Sequence, residues 1–307
     1  MYPLVSVVCI TYNQASYIRE CLEGLLMQKT SFNYEILVND DASIDATPHI
    51  IKEYEDKYPD IFRVIYQKEN QYSKGVSPWF DILFPIARGK YIAICEGDDY
   101  WTDPYKLQKQ IDFLEENPIY GMVHTDFDVV NNSNETEHRY SRMQPQQTTL
   151  LDLLTCKSNI GTLTVVFNRN VYEKLPKHFL RNSFLMGDLP MWLEFAYNSK
   201  IAYIPEVTAS YRRLDNSASH SADDTKQLRF YDNIVDCRLY YSQVFGLDHL
   251  NSRIEAHRYI LREKLYYQRR CRKQVIRNFV LLCRNYPQHI SIRSILYVIA
   301  SILSIYR

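Results

Sequence analysis

Glycine is scarce: the chain has eight in 307 residues, and they form neither GxGxxG nor GxxxxGK[ST]. Without those phosphate cradles, a dinucleotide-binding Rossmann enzyme and a P-loop NTPase are both disfavoured. The seven cysteines (Cys9, Cys21, Cys95, Cys156, Cys237, Cys271, Cys283) include no CxxC pair. Odd in number and set mostly in apolar runs, they read as buried thiols of a reducing compartment. The eight histidines show no i, i+4 pair, which leaves zinc without a ligand set. Long hydrophobic runs are missing too. The uncharged stretch Ser294–Tyr306 has thirteen residues, short of the roughly 20 that span a bilayer. No basic segment followed by an apolar one opens the sequence, so the chain is expected to stay in the cytosol.

What is present is a globular composition, 46% hydrophobic and 23% charged, which excludes a disordered chain, a collagen and a disulfide-stapled miniprotein. The 36 basic and 36 acidic residues cancel, but unevenly. Residues 1–224 carry a balance of −10 and residues 225–307 one of +10. The C-terminal part is therefore a separate physical object that an anionic surface would attract.

Leu4–Ile10 is a short apolar, β-branched run, as a strand buried on both faces should be. Tyr17–Met27 has helical apolar spacing. Glu35–Val38 reads as a second strand, ending in NDDASIDAT, where Asp45 is expected to cap a helix running to about Tyr58. Phe62–Tyr66 and Lys90–Cys95 are further strands, the latter ending in EGDDYW. A helix over Tyr105–Asn117, a strand over Gly121–Asp126, late strands at Leu163–Phe167 and Ile201–Ile204, and a helix around Leu189–Tyr197 follow. Asn131–Gln147 is polar and aperiodic, a loop whose sequons at Asn131 and Asn134 mean nothing in the cytosol. From about Thr225 the pattern is helical. Strand–helix alternation predicts a parallel sheet flanked by helices, with ligands beyond the carboxyl ends of the strands.

Both acidic clusters fall at such ends, so they should meet. Asp40 and Asp41 end one strand, Asp98 and Asp99 another. Four neighbouring carboxylates repel unless a cation or donors offset them, and hard oxygen ligands suit Mg²⁺ or Mn²⁺. Magnesium takes one or two carboxylates plus substrate phosphates, so a diphosphate is the natural partner. Aspartate at strand ends also simply caps helices and turns, and one such cluster alone would not decide between the two.

Taken in order, VSVVCITYN (5–13), EILVNDDASIDAT (35–47), GKYIAICEGDDYWTDPYKLQKQIDFLE (89–115), Gly187-Asp188 and YRRLDNSASHS (211–221) resemble family 2 glycosyltransferases of the GT-A fold. The likeness covers roughly residues 3–224 and is nearest to enzymes of O-antigen and capsule assembly. It implies a Rossmann-like, mainly parallel α/β sheet with flanking helices: a catalytic domain at 1–224, its donor half at about 1–126 and acceptor half at about 127–224. It implies that Asp41 bonds the uracil, that Thr11 and Tyr12 flank the base, that Asp98 lies near the ribose and that Asp99 holds the metal. Glu96 replaces the first Asp of the family's D-x-D motif, and with Asp40 it is a secondary candidate. Asp188 matches the general base of an inverting displacement, although this chain has Gly-Asp where relatives often have Glu-Asp. The plainer alternative is that Asp188 is a helix N-cap with Pro190 near N1–N2, which does not exclude the base role. Arg212 or Arg213 would suit the diphosphate. Ser217 and Ser219 match small polar positions of a lid, and Trp101 is a candidate for the sugar pocket.

The region 225–307 supplies two basic amphipathic segments, Ser252–Arg272 and Gln274–Arg284, and then the short apolar one. That reads as a monotopic anchor on an anionic membrane, with packing on the catalytic domain or on a second copy of the chain as the alternatives. The resemblance implies a UDP-sugar donor, a polyprenyl-diphosphate-linked glycan acceptor, no nucleic acid, and a peripheral place at the cytoplasmic face of the inner membrane. A sugar nucleotidyltransferase, which would need a glycine-rich basic loop absent from CITYNQASY, and a non-catalytic scaffold are the competing readings.

Overall fold

The computed structural model describes residues 2–131, 136–138, 147–181, 184–214, 216–217 and 220–303. Along the chain come β1 (Val5–Thr11), α1 (Ile18–Leu26), β2 (Tyr34–Asp40), α2 (Thr47–Lys57), β3 (Phe62–Tyr66) and the short α3 (Phe84–Ile86). They are followed by β4 (Tyr91–Ile94), β5 (Tyr100–Trp101), α4 (Lys106–Glu116), β6 (Tyr120–Val130), β7 (Thr136–His138) and β8 (Gln147–Thr148). Then come α5 (Leu150–Leu154), β9 (Val166–Asn168), α6 (Arg169–Lys174), α7 (Asp188–Asn198), β10 (Lys200–Arg212), β11 (Asn216–Ser217) and β12 (His220–Ser221). Helices α8 (Asp224–Val244), α9 (Asn251–Gln268), α10 (Arg272–Asn285) and α11 (Ile292–Ile302) follow.

These elements form two compact units. The first comprises Met1–Thr149, Asn159–Pro176 and Asn198–Arg213, the second Leu150–Ser158, Lys177–Tyr197 and Leu214–Arg307. In the first unit the strand order is β3-β2-β1-β4-β9-β6-β10-β5. The run β3-β2-β1-β4 is parallel throughout, as is β6-β10, and β9 joins the two blocks antiparallel to both. Alternating apolar residues explain the packing: Val5, Val7 and Cys9 of β1, with Ile36 and Val38 of β2, share a core with Leu22 and Leu25 of α1 and Leu107, Ile111 and Leu114 of α4.

Three local expectations are corrected. Ala46, not Asp45, is the cap residue of α2. The Asp45 carboxylate instead accepts from the Thr47 and Ala15 amides, because the loop after β1 comes close enough to use it. Leu163–Phe167 is not one strand: a 3₁₀ turn at Thr162–Thr164, closed by the Thr164 hydroxyl on the Gly161 carbonyl, precedes β9. The polar loop has strands at both ends, since β7 pairs with β6 and β8 with β10. Residues 132–135 and 139–146 of that loop, Asn134 among them, lie outside the described residues.

In the second unit, the Asp223 carboxylate caps α8 by accepting from the Thr225 and Lys226 amides. Asp232 of α8 receives Arg258 and Arg262 of α9, which fixes that pair of helices. Helix α11 packs on both α9 and α10.

Candidate functional site

The strand register places both acidic loops. Thr11 of β1 lies opposite Asp40 of β2, and the Gly97 amide donates to the Ile10 carbonyl of β1. The loops after β2 and β4 therefore flank the carboxyl end of β1, about 10 Å apart at two strand spacings. That is the edge where an open α/β sheet takes its ligand.

The loops after β1 and β2 are knitted together. Asn13 donates its amide to the Ser43 hydroxyl and accepts from the Ile44 amide, and the Gln14 amide donates to the Thr47 hydroxyl. Asn13 and Ala42 both take positive φ, 53° and 62°, to make these turns. Asp40 is buried and accepts from the Ser43 amide and hydroxyl. Its pKa is raised by burial, then by the charges of Asp45 and Asp41. Asp41 accepts from the Gln71 and Tyr72 amides at 2.7 and 3.1 Å, so it anchors the segment after β3. A carboxylate has about four acceptor positions, which leaves room for a further donor.

Beyond β4, Asp99 is buried and accepts from the Arg212 amide at 2.7 Å. Burial first, then the nearby charges of Asp98 and Glu96, hold its pKa well above the usual carboxylate range. Burial also raises Asp98, with Arg212 and the Gln14 side chain opposing. Gln14 Oε1 and Thr11 Oγ1 are buried without a hydrogen-bond partner, and both border Gly97, where a Cβ would lie 2.6 and 2.9 Å from them. Unmet charge and unmet acceptors thus share one edge. Among the described residues no three carboxylate, histidine or cysteine side chains form a complete cation cage. The Asp99 carboxylate still suits a hard cation whose remaining ligands are phosphate oxygens and water.

Arg212, 7% exposed, does more than sequence reasoning assigned to it. Its Nε donates to the Asp98 carbonyl at 2.9 Å, and its Nη2 pairs with Glu20 of α1 at 2.5 Å. The rings of Tyr17 and Tyr100 lie on its guanidinium at 4.8 and 5.2 Å. It ties α1, β10 and the Asp98-Asp99 loop together. Glu20 and Gln14 were missed because single polar residues near a helix start carry no spacing signal.

The remaining candidates scatter. Tyr12 is exposed at the β1 end, and Arg213 follows β10 with its amide donating to the Val130 carbonyl. Trp101 is 1% exposed, donates Nε1 to the Leu163 carbonyl and gives its ring face to the buried Lys106 amine at 4.3 Å. It belongs to the core, not to a sugar pocket. Ser217 is in β11, while Ser219 lies outside the described residues. Asp188 is the first residue of α7 in the second unit and accepts from the Leu189 amide. Glu194 anchors that helix: fully buried, it accepts from the Lys177 and His178 amides and the Tyr241 hydroxyl.

Comparison with known proteins places this geometry. The glycosyl transferase family 2 domain matches residues 6–176. Rv1520, an uncharacterized protein of Mycobacterium tuberculosis, is 37% identical over 219 residues, 71% of this chain and 61% of its own length. The chain thus spans about three fifths of that relative. The Escherichia coli UDP-Glc:alpha-D-GlcNAc-diphosphoundecaprenol beta-1,3-glucosyltransferase WfgD is 28% identical over 245 residues, 78% of this chain and 90% of WfgD. Among solved structures, Staphylococcus aureus TarS 1–349 with UDP-GlcNAc superposes at TM-score 0.59, 17% identity, covering 92% of this chain and 91% of TarS. The mannosyltransferase PcManGT of Pyrobaculum calidifontis, in complex with GDP-Man and Mn²⁺, gives 0.62 at 15% identity, covering 99% and 87%. With this fold and this match over more than half its length, the chain belongs to glycosyl transferase family 2, in its GT-A form.

Proposed function

We propose that the chain is an inverting glycosyltransferase moving a hexose from a UDP-sugar to a hydroxyl of a polyprenyl-diphosphate-linked glycan, in O-antigen or capsule synthesis. The observation that carries this reading is the Asp99 carboxyl, held up first by burial and then by Asp98 and Glu96, at the sheet edge it shares with Asp41. The name of WfgD, with its UDP-Glc donor and diphosphoundecaprenol-linked acceptor, supports the substrate classes.

A divalent cation, Mg²⁺ or Mn²⁺, would be held by Asp99, with Asp98 near the ribose, and would neutralise charge growing on the leaving diphosphate. PcManGT was solved with Mn²⁺, which favours that choice. Asp41 would accept from the uracil ring N–H, a charge-assisted bond that selects bases with a donor there. Thr11 and Tyr12 would flank the base. Arg212, which holds the Asp98-Asp99 loop in place, would also face the diphosphate, with Arg213 as the secondary candidate. Asp188 would take the acceptor hydroxyl proton, as a single in-line displacement requires one base on the face opposite the leaving group. In this reading residues 1–126 serve the donor and 127–224 the acceptor, while 225–307 serve attachment at the cytoplasmic face of the inner membrane.

The test is UDP release from a panel of UDP-sugars with Mn²⁺ and a lipid-diphosphate acceptor. One donor is expected to turn over, and Asp188→Asn to keep UDP binding while losing at least about a hundredfold in turnover. No release with any donor would favour the scaffold reading, and pyrophosphate-dependent formation of a nucleotide-sugar would favour the nucleotidyltransferase.

A further inference from the structure

Helix α11 is built inside out for water. Its inward positions are Ser294 and Ser301, both fully buried, and between them Tyr297, whose ring stacks on Tyr267 of α9 at 4.8 Å. Outward it turns Ile292 (79% exposed), Ile295, Leu296 (57%), Ile299, Ile302 and Leu303 (61%). The spacing i, i+3, i+4, i+7, i+10, i+11 makes these one continuous ridge. A surface helix in water buries its apolar stripe and exposes its hydroxyls; this one does the reverse.

The inner contact is correspondingly poor. Glu263 of α9 is fully buried beside Ser294, yet neither carboxyl oxygen makes a hydrogen bond of good geometry, and Ser301 Oγ has no partner either. Burial pushes the Glu263 carboxyl up to about 7, with Ser294 opposing. Ser294 is answered by the Ser291 hydroxyl at 3.1 Å, but a Glu263 carboxyl and a Ser301 hydroxyl left unmatched would not repay an inward-facing serine stripe, so the outward ridge is what gives the helix its sense.

The charge around the ridge is of one sign. Between Lys264 and Arg307 the sequence has no Asp or Glu. Arg272, Lys273, Arg277 and Arg284 are exposed on α10, which packs on α11, and Arg293 is exposed on α11 itself. None of these five appears in an ion pair among the described residues. Val280 and Leu281 extend the apolar surface onto α10.

We propose that α10 and α11 form a docking face for an anionic lipid surface, with the Ile/Leu ridge entering the acyl boundary and the unpaired cations meeting the headgroups. Helix α11 has 11 residues and lies in the interface rather than across it, and no described helix is long and apolar enough to span a membrane. A second copy of the chain would bring five unpaired cations against their own kind, and a nucleic acid would have no use for the apolar ridge. This face would give the lipid-linked acceptor of the proposed function its place. Vesicle binding is read without turnover, so the two readings can fail separately.

The experiment is flotation of the full chain with phosphatidylglycerol vesicles and with phosphatidylcholine vesicles. The wild type is expected to float with the anionic vesicles and about tenfold less with the neutral ones. The exposed-face variant Ile295→Ser/Leu296→Ser/Ile299→Ser is expected to lose binding to both by about tenfold or more, with an unchanged far-ultraviolet circular dichroism spectrum. Arg277→Glu/Arg284→Glu is expected to lose only the anionic preference. Three results would overturn the proposal: no flotation with either vesicle, serine and wild-type chains floating alike, or a dimer that the serine variant dissolves while vesicle binding is absent.

Discussion

Asp99 offers a test in which two consequences of one carboxylate carry opposite signs. Replacing it with Asn keeps the shape and keeps an oxygen to accept from the Arg212 amide, 2.7 Å away. It removes a carboxyl whose ionised form is opposed first by burial and then by the charges of Asp98 and Glu96. Leaving a buried charged group without a matching partner costs about 1–3 kcal/mol or more. In chelator, Asp99→Asn is therefore expected to be more stable than the wild type at pH 7 by about 1–3 kcal/mol, read as a higher urea midpoint at unchanged slope. With Mn²⁺ and UDP the order reverses. Ligand at a hundred times its dissociation constant adds about 2.7 kcal/mol to whatever binds it, and the variant, lacking the cation's holder, gains almost none. Urea titrations in chelator and in Mn²⁺/UDP give all four numbers. A variant that is less stable in chelator, or that keeps the wild-type gain with Mn²⁺ and UDP, would refute the view of Asp99 as a strained group awaiting a cation.

Gly97→Ala puts a Cβ 2.6 Å from Gln14 Oε1 and 2.9 Å from Thr11 Oγ1. Calorimetry should show UDP affinity falling about tenfold or more, an overpacking cost of about 1–3 kcal/mol moved into the loop. Arg212→Ala removes a charge-assisted bond to the Asp98 carbonyl and two ring contacts; a loss of about 2–4 kcal/mol is expected from the urea midpoint, the half-exposed Glu20 pair adding little. Lys106, fully buried, has its pKa lowered to about 7 by burial. The unfolded chain therefore binds the extra proton between about pH 7 and 10.5, and stability rises as pH climbs through that window. The slope is at most about 1.4 kcal/mol for each step of one in pH, less what the Trp101 face returns to the charged form. Lys106→Met should flatten the rise in urea midpoints taken at pH 7, 8.5 and 10, and an unchanged slope would contradict the assignment.

The parallel half of the sheet was legible because its strands are apolar runs that end in turn residues: β1 and β3 fall within a residue of where the pattern puts them. Less legible was β10, thirteen residues long, of which only Ile201–Ile204 is an apolar run. Its later part, through Glu206 and Thr208 to Arg212, is held by pairing with β6 and β5 and not by its own composition. Strand β9 was legible only in part: the apolar run Leu163–Phe167 takes in the 3₁₀ turn before it, and three residues wedged between two longer strands carry no pattern of their own. At the site, the aspartates stood out as pairs at strand ends. The groups that fix them did not: the Gln71 and Tyr72 amides on Asp41 are backbone, and Glu20 meets Arg212 across 192 positions of sequence. The inward serines of α11 were likewise invisible in an uncharged run that reads as uniformly apolar.

The stitching between the segments 12–15 and 42–47 has a consequence for engineering. Asn13, Gln14 and Ala15 are each bonded to Ser43, Ile44, Asp45 or Thr47. A graft that exchanges one of these loops for a relative's leaves four unmated partners in the other. Exchanging either loop in such a scaffold is therefore a matter of transplanting both stretches as a single cassette, with α2's opening turn included.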